Sequence, residues 1–147
     1  MEKTADIVII GGGIIGVSIA YYLGKRGAKN VVLLEKDLIG MGSTGLCAGG
    51  IRRQWSTEVN MQFAMKSFEV FQNFEEEFGV SPEFHQIGYL FLARDEEELE
   101  SFKKNIEFQN RFGVPSKLLT REEIKKTCPF LNVEDVVGGA FCDTDGY

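Results

Sequence analysis

The sequence predicts an α/β fold that opens with a βαβ unit, and three observations predict it. Two short apolar runs come first, Asp6–Ile10 (DIVII) and Val31–Leu34 (VVLL), one ended by glycine and the other by an acid. Unbroken apolar runs of this length suit strands buried on both faces of a parallel sheet. The stretch between them, Gly13–Leu23 (GIIGVSIAYYL), reads as a helix closed by Gly24 or Gly27. Glycine is unevenly spread: of 17 glycines in 147 residues, eleven lie in the first 50, whereas all twelve phenylalanines lie after residue 62. A front part governed by backbone therefore precedes a part governed by side-chain packing.

The remaining elements follow from period and punctuation. Residues Ile39–Ile51 are too glycine-rich for a regular element. Thr57–Phe78 reads as one long helix, because Met61, Ala64, Phe68, Phe71, Phe74 and Phe78 fall on one stripe. That stripe is core. Gly88–Ala93 (GYLFLA) is a strand. Asp95 with Glu98 forms a capping box for the next helix, whose buried face is Leu99, Phe102 and Ile106 and whose end is Gly113. Val114–Leu119 is a short strand. Thr120 with Glu123 is a second capping box, opening a short helix that stops before Pro129.

Composition narrows the function classes. Hydrophobic residues make up 44% and charged residues 26%, which excludes a disordered tail, a collagen-like rod and a coiled coil. No apolar run reaches the roughly 18 residues of a membrane span. The N-terminus carries no secretory signal, so a cytoplasmic protein is expected. The net charge is −6. Residues 1–62 carry seven basic and five acidic side chains, and residues 63–147 carry nine and seventeen. Such an acidic chain lacks the basic face that phosphate backbones need, so nucleic acid is not an expected partner. Cys47, Cys128 and Cys142 are an odd count without paired spacing, which supports neither a zinc site nor a disulfide framework. The single histidine, His85, reads as structural, and the acidic run Asp95–Glu98 as a solvated helix start.

The chemistry is concentrated in two glycine loops. Gly11, Gly13 and Gly16 fit G-x-G-x-x-G, with a strand just before and a helix just after. Gly11 permits the tight turn, Gly13 lets a pyrophosphate approach the helix N-terminus, and Gly16 permits close packing of helix on strand. Glu35 stands 19 residues after Gly16, where an acid accepts hydrogen bonds from ribose hydroxyls. This is a Rossmann-like dinucleotide fingerprint. It does not separate FAD from NAD, and the acid disfavours NADP. The second loop, Gly40–Arg53 (GMGSTGLCAGGIRR), exposes many N–H groups and adds the hydroxyls of Ser43 and Thr44. A loop of this kind after the ribose acid suits contact with a flavin.

With these residues in view, the chain resembles FAD-dependent amino-acid and amine oxidoreductases of the D-amino-acid oxidase-like superfamily. The resemblance rests on ADIVIIGGGIIGVSIAYYLGKRGAKNVVLLEK followed by GMGSTGLCAGGIRRQ. Its wording is nearest the β subunits of heteromeric sarcosine oxidase and L-proline dehydrogenase. The later segments FHQIGYLFLARDEEEL, LLTREEIKKTCPFL and GGAFCDTDGY extend it along the whole chain. The resemblance implies that Gly11, Gly13, Ile14 and Ile15 hold the FAD pyrophosphate, with Gly16 behind them. It implies that Glu35 binds the adenosine ribose and that Lys36 lies beside the adenine. Ser43 and Thr44 would contact phosphate or ribitol, and Gly45, Leu46, Ala48, Gly49, Gly50 and Ile51 would run along the flavin. Some relatives attach flavin through a histidine at the place of Leu46, so non-covalent FAD is expected here, with Cys47 a small buried filler. Arg52 matches an arginine that binds the substrate carboxylate, a task suited to its planar fork; pairing with a surface acid is the competing reading.

The resemblance also implies an incomplete unit. Residues 1–80 would be the FAD-binding segment with its following helix, and residues 81–147 the start of an α+β substrate domain. Family members are longer, so the rest of the fold is expected from a missing C-terminal part or another subunit. The implied reaction oxidises the C–N bond of a small amino acid or secondary amine of the sarcosine, glycine or proline type to an imine, with hydride transfer to flavin. A non-catalytic flavin- or nucleotide-binding subunit is the alternative. An NAD-dependent dehydrogenase domain is the third reading, against which the S-T-G…A-G-G-I-R loop argues.

Overall fold

Strand β1 (Ile7–Ile10) and strand β2 (Val31–Leu34) pair in parallel, with Ile7 opposite Val31 and Ile10 opposite Leu34. The computed structural model describes residues 4–147. Helix α1 (Ile14–Lys25) makes the crossover between the two strands. Its end is a Schellman motif. The Ala28 N–H reaches the Leu23 carbonyl at 3.0 Å, the Gly27 N–H reaches the Gly24 carbonyl at 2.9 Å, and Gly27 is left-handed. Of the two expected closing glycines, Gly27 is therefore the one used. Burial on both strand faces is not what the structure shows. Ile9 is buried beside Gly16 of α1, while Val8 and Ile10 on the other face are exposed. One crossover helix covers one face.

The chain divides into two compact units that meet in sequence at Ala48 and Gly49. The second contains helices α2 (Glu58–Gln72) and α3 (Phe74–Phe78), strand β3 (Tyr89–Ala93), helix α4 (Glu96–Arg111), strand β4 (Lys117–Leu119), helix α5 (Arg121–Thr127) and strand β5 (Gly138–Cys142). Its sheet is antiparallel in the order β3-β5-β4. Strand β5 is central and buried throughout. Successive residues on a strand face opposite ways, so Phe141 and Cys142 serve two cores. Phe141 packs with Leu119, Ile124 and Val136; Cys142 packs with Met61 and Val114.

The expected long helix is two helices. Asn73 sits between them at φ −104, ψ 13, and its side-chain amide donates to the Glu69 carbonyl at 2.8 Å. A short amide side chain that competes for backbone carbonyls interrupts helical geometry. The aromatic stripe still packs inward: Phe68 and Phe71 meet Phe84, with centroids 5.5 and 5.9 Å away, and Phe74 meets Phe78. The cap at Thr120 and Glu123 is reciprocal, as the spacing predicts. The cap at Asp95 differs. Asp95 accepts the Glu98 N–H at 2.8 Å, but the Glu98 carboxylate takes the N–H of Arg94. The short strand expected over Val114–Leu119 occupies only Lys117–Leu119. Among the described residues no helix is long and apolar enough to cross a membrane.

Candidate cofactor and substrate sites

In the first unit the glycine turn and the acid form one hydrogen-bonded cluster. Gly11 leaves β1 at φ +102, and its N–H donates to the Leu34 carbonyl at 2.8 Å. Gly12 follows, buried, and donates its N–H to Glu35 Oε2 at 2.6 Å. The other carboxylate oxygen of Glu35 accepts the Asp37 N–H at 2.9 Å. These backbone donors, Gly12 foremost, hold the Glu35 carboxyl below the usual carboxylate range, so it is an anion at neutral pH. Gly13 is the N-cap of α1 and has no side chain to cap with; Thr44 Oγ1 accepts the Ile14 N–H instead, at 2.9 Å. The first bond inside the helix runs from Val17 N–H to the Gly13 carbonyl. With the Ile14 N–H taken by Thr44, the other N–H groups of the first turn form the positive end that attracts a phosphate. Gly16 must be glycine, since a Cβ there would overlap the Gly11 carbonyl.

Sequence reasoning placed Gly11, Gly13, Glu35 and Thr44 at this site, and the structure brings them together. It passed over Gly12, the variable position of the fingerprint, and Asp37. A Cβ at Gly12 would press on Glu35 at 3.1 Å, so the GGG run itself held the missed signal. Ile14, Ile15, Lys36, Ser43, Gly45, Leu46 and Ala48 are exposed around this cluster. Cys47 is also exposed, and its thiol donates to the Thr44 carbonyl at 3.1 Å. The expected buried filler is thus a surface thiol, because the loop turns outward there. The donors of the α1 N-terminus, the bare glycine turn and the ionised acceptor at the end of β2 fit a dinucleotide with its pyrophosphate and ribose.

Gly49, Gly50 and Ile51 belong to the second unit. Ile51 exchanges two backbone hydrogen bonds with Gly146, at 2.8 and 2.9 Å. Arg52 comes next and is half-buried. Its guanidinium lies 4.2 Å from the Trp55 ring centre and 4.9 Å from that of Phe91, and it donates to the Gln54 carbonyl at 3.3 Å. It opens on a cavity of about 300 Å³, walled by Trp55, Phe91 and Phe102, with Asn105 and Gln109 of α4 beside it. Among the described residues no carboxylate pairs with Arg52. Arg53 points elsewhere, into a buried pair with Asp145 at 3.0 Å. His85 is exposed and rests its ring against Tyr147.

The model of the FAD dependent oxidoreductase family matches residues 6–147. The chain belongs to this family. FAD is the family's cofactor. The chain is 34% identical over 145 residues to the mitochondrial pyruvate dehydrogenase phosphatase regulatory subunit of Mus musculus, covering 99% of this chain and 16% of the relative. It is 35% identical over 147 residues to mitochondrial dimethylglycine dehydrogenase of Rattus norvegicus, covering 99% of this chain and 17% of that protein. Among solved structures, L-proline dehydrogenase from P. horikoshii superposes with a TM-score of 0.88 at 47% identity, over 99% of this chain and 38% of that one. The chain therefore spans about a sixth of these two curated relatives.

Proposed function

We propose that this chain is part of an FAD-dependent oxidoreductase that oxidises the C–N bond of a small amino acid or secondary amine of the sarcosine, glycine or proline type. The observation that carries the reading is the Arg52 guanidinium beside an aromatic-walled cavity, in a chain of this family. In this reading Arg52 takes the substrate carboxylate with its planar fork, and Trp55 and Phe91 keep that guanidinium from swinging away. The first unit holds FAD without a covalent bond. Gly11, Gly13, Ile14 and Ile15 receive the pyrophosphate, Glu35 the ribose hydroxyls, Lys36 the adenine edge and Thr44, with Ser43, the phosphate or ribitol. Leu46, Ala48 and the residues to Ile51 run along the flavin. When bound, FAD supplies the acceptor for the hydride leaving the carbon next to nitrogen. The product imine then hydrolyses. The fractions of the relatives covered support further substrate contacts from protein outside these residues.

The test is anaerobic mixing of the FAD-loaded holoenzyme, in which these residues are joined by the rest of the protein, with sarcosine, glycine or L-proline. Bleaching of the oxidised flavin band by one of them is the expected result. A flavin that stays oxidised with all three overturns the enzyme reading. That outcome would favour the second reading, a flavin-binding subunit without turnover, which the likeness to a phosphatase regulatory subunit supports.

A further inference from the structure

We propose that Asp145 is a positioning residue for Arg52, acting through Arg53; this rests on the reading of Arg52 as the carboxylate site. Two arginines stand side by side in the sequence, and one buried acid chooses between them. Asp145 is fully buried. Its carboxylate accepts both the backbone N–H of Arg53 at 2.9 Å and the Arg53 Nε at 3.0 Å. The Arg53 guanidinium also donates to the Thr144 hydroxyl and lies 3.6 Å from the Phe68 ring centre. A buried fork held on so many sides has one orientation.

The Arg52 side chain rests on the Trp55 and Phe91 rings, but its backbone is anchored through its neighbours. Ile51 before it is tied to Gly146 by two backbone bonds, and Gln54 after it donates its side-chain amide to the Tyr89 carbonyl at 2.9 Å. Arg53 is tied to Asp145 in between. Arg52 itself donates once, to the Gln54 carbonyl at 3.3 Å. The place of its backbone is thus inherited from the clamp, and most of its donors remain for a ligand. The clamp has a second effect. By neutralising Asp145, Arg53 removes the buried anion that would otherwise draw in Arg52. One arginine is consumed so that its neighbour stays an unpaired cation.

The experiment measures steady-state kinetics of the FAD-loaded holoenzyme, with whichever of sarcosine, glycine or L-proline reduces its flavin fastest. Asp145→Asn is expected to raise KM about tenfold or more while kcat stays within about twofold and flavin content is unchanged, since a misplaced binding group of this kind costs up to about a hundredfold. Removing one partner of a buried pair can prevent folding. The double variant Arg53→Met/Asp145→Leu therefore replaces the whole pair with apolar side chains, and the same KM rise is expected. Arg53→Lys keeps the charge but loses the fork; it covers the case in which neither folds, and an intermediate KM is expected. Any of these variants that folds, binds flavin and keeps KM within about twofold of the parent overturns the proposal. Arg52→Gln is run beside them. An unchanged KM there refutes the Arg52 reading itself, whereas a raised KM with unaffected clamp variants refutes the clamp alone.

Discussion

The Glu35 carboxylate at the end of β2 reaches the N–H of Gly12, in the turn after β1, at 2.6 Å. The acid assigned to a ribose is thereby already aimed by the backbone it faces. Each carboxylate oxygen has lone pairs to spare, so this bond orients the group without using it up. Glu35→Gln keeps the shape and one acceptor but loses the charge. Charge-assisted bonds are stronger than neutral ones. FAD affinity is expected to fall about five- to tenfold, read by ultrafiltration of free flavin.

The same bond sets an acid limit. The Glu35 carboxyl titrates below its ordinary value because Gly12, and then Asp37, donate to its charged form. A group depressed in this way contributes fully above its unfolded value, about 4.3, and loses its contribution as pH falls through the lower folded value. Flavin retention is expected to be level from neutral pH down to about pH 5 and to decline below the usual carboxylate range. Flavin fluorescence on release measures this. Retention in Glu35→Gln that declines just as steeply would assign the effect to another group.

Two glycines of α1 should respond in opposite directions. At Gly16 a Cβ would collide with the Gly11 carbonyl, which is backbone of the cofactor turn and cannot move aside. Gly16→Ala is expected to cost at least the roughly 1–3 kcal/mol of an overpacked core and to abolish flavin binding. At Gly24 nothing lies within 4 Å of the built Cβ. Gly24→Ala is expected to stabilise by about 0.5–1 kcal/mol through helix propensity alone. Thermal denaturation of the two variants side by side decides it.

The cap of α5 offers an independent stability measurement. Thr120 accepts the Glu123 N–H at 3.2 Å, and Glu123 accepts the Thr120 N–H at 2.8 Å. Thr120→Ala is expected to cost about 1 kcal/mol, and Thr120→Ser much less. A denaturant midpoint for Thr120→Ala equal to that of the parent would show that the cap does not hold α5.

The βαβ unit was legible because each part of it follows a local rule. The apolar runs at Ile7–Ile10 and Val31–Leu34 and the glycine spacing can each be read from a few consecutive residues, and so can the Thr120–Glu123 cap elsewhere in the chain. What the sequence hid depends on distant partners. Asp145 is 92 residues from Arg53, and nothing near it announces a buried acid. Strand β5 was unmarked because a strand buried on both faces shows no alternation, and GGAFC has two glycines as well. Asn73 looked like an ordinary helical position, and only its bond to the Glu69 carbonyl shows the break. Cys47 was misplaced because small cysteines are usually buried, and the loop geometry that turns it outward is not written in its neighbours.

The order β3-β5-β4 makes the last strand of the sheet its middle one. During synthesis β3 and β4 leave the ribosome with no partner between them, and their ladder groups stay solvated until Cys142 has emerged. Sequence separations of this size slow the search for native pairing. The second unit should therefore gain protease resistance in a single late step, whereas both strands of the β1–β2 pair have been made by residue 34.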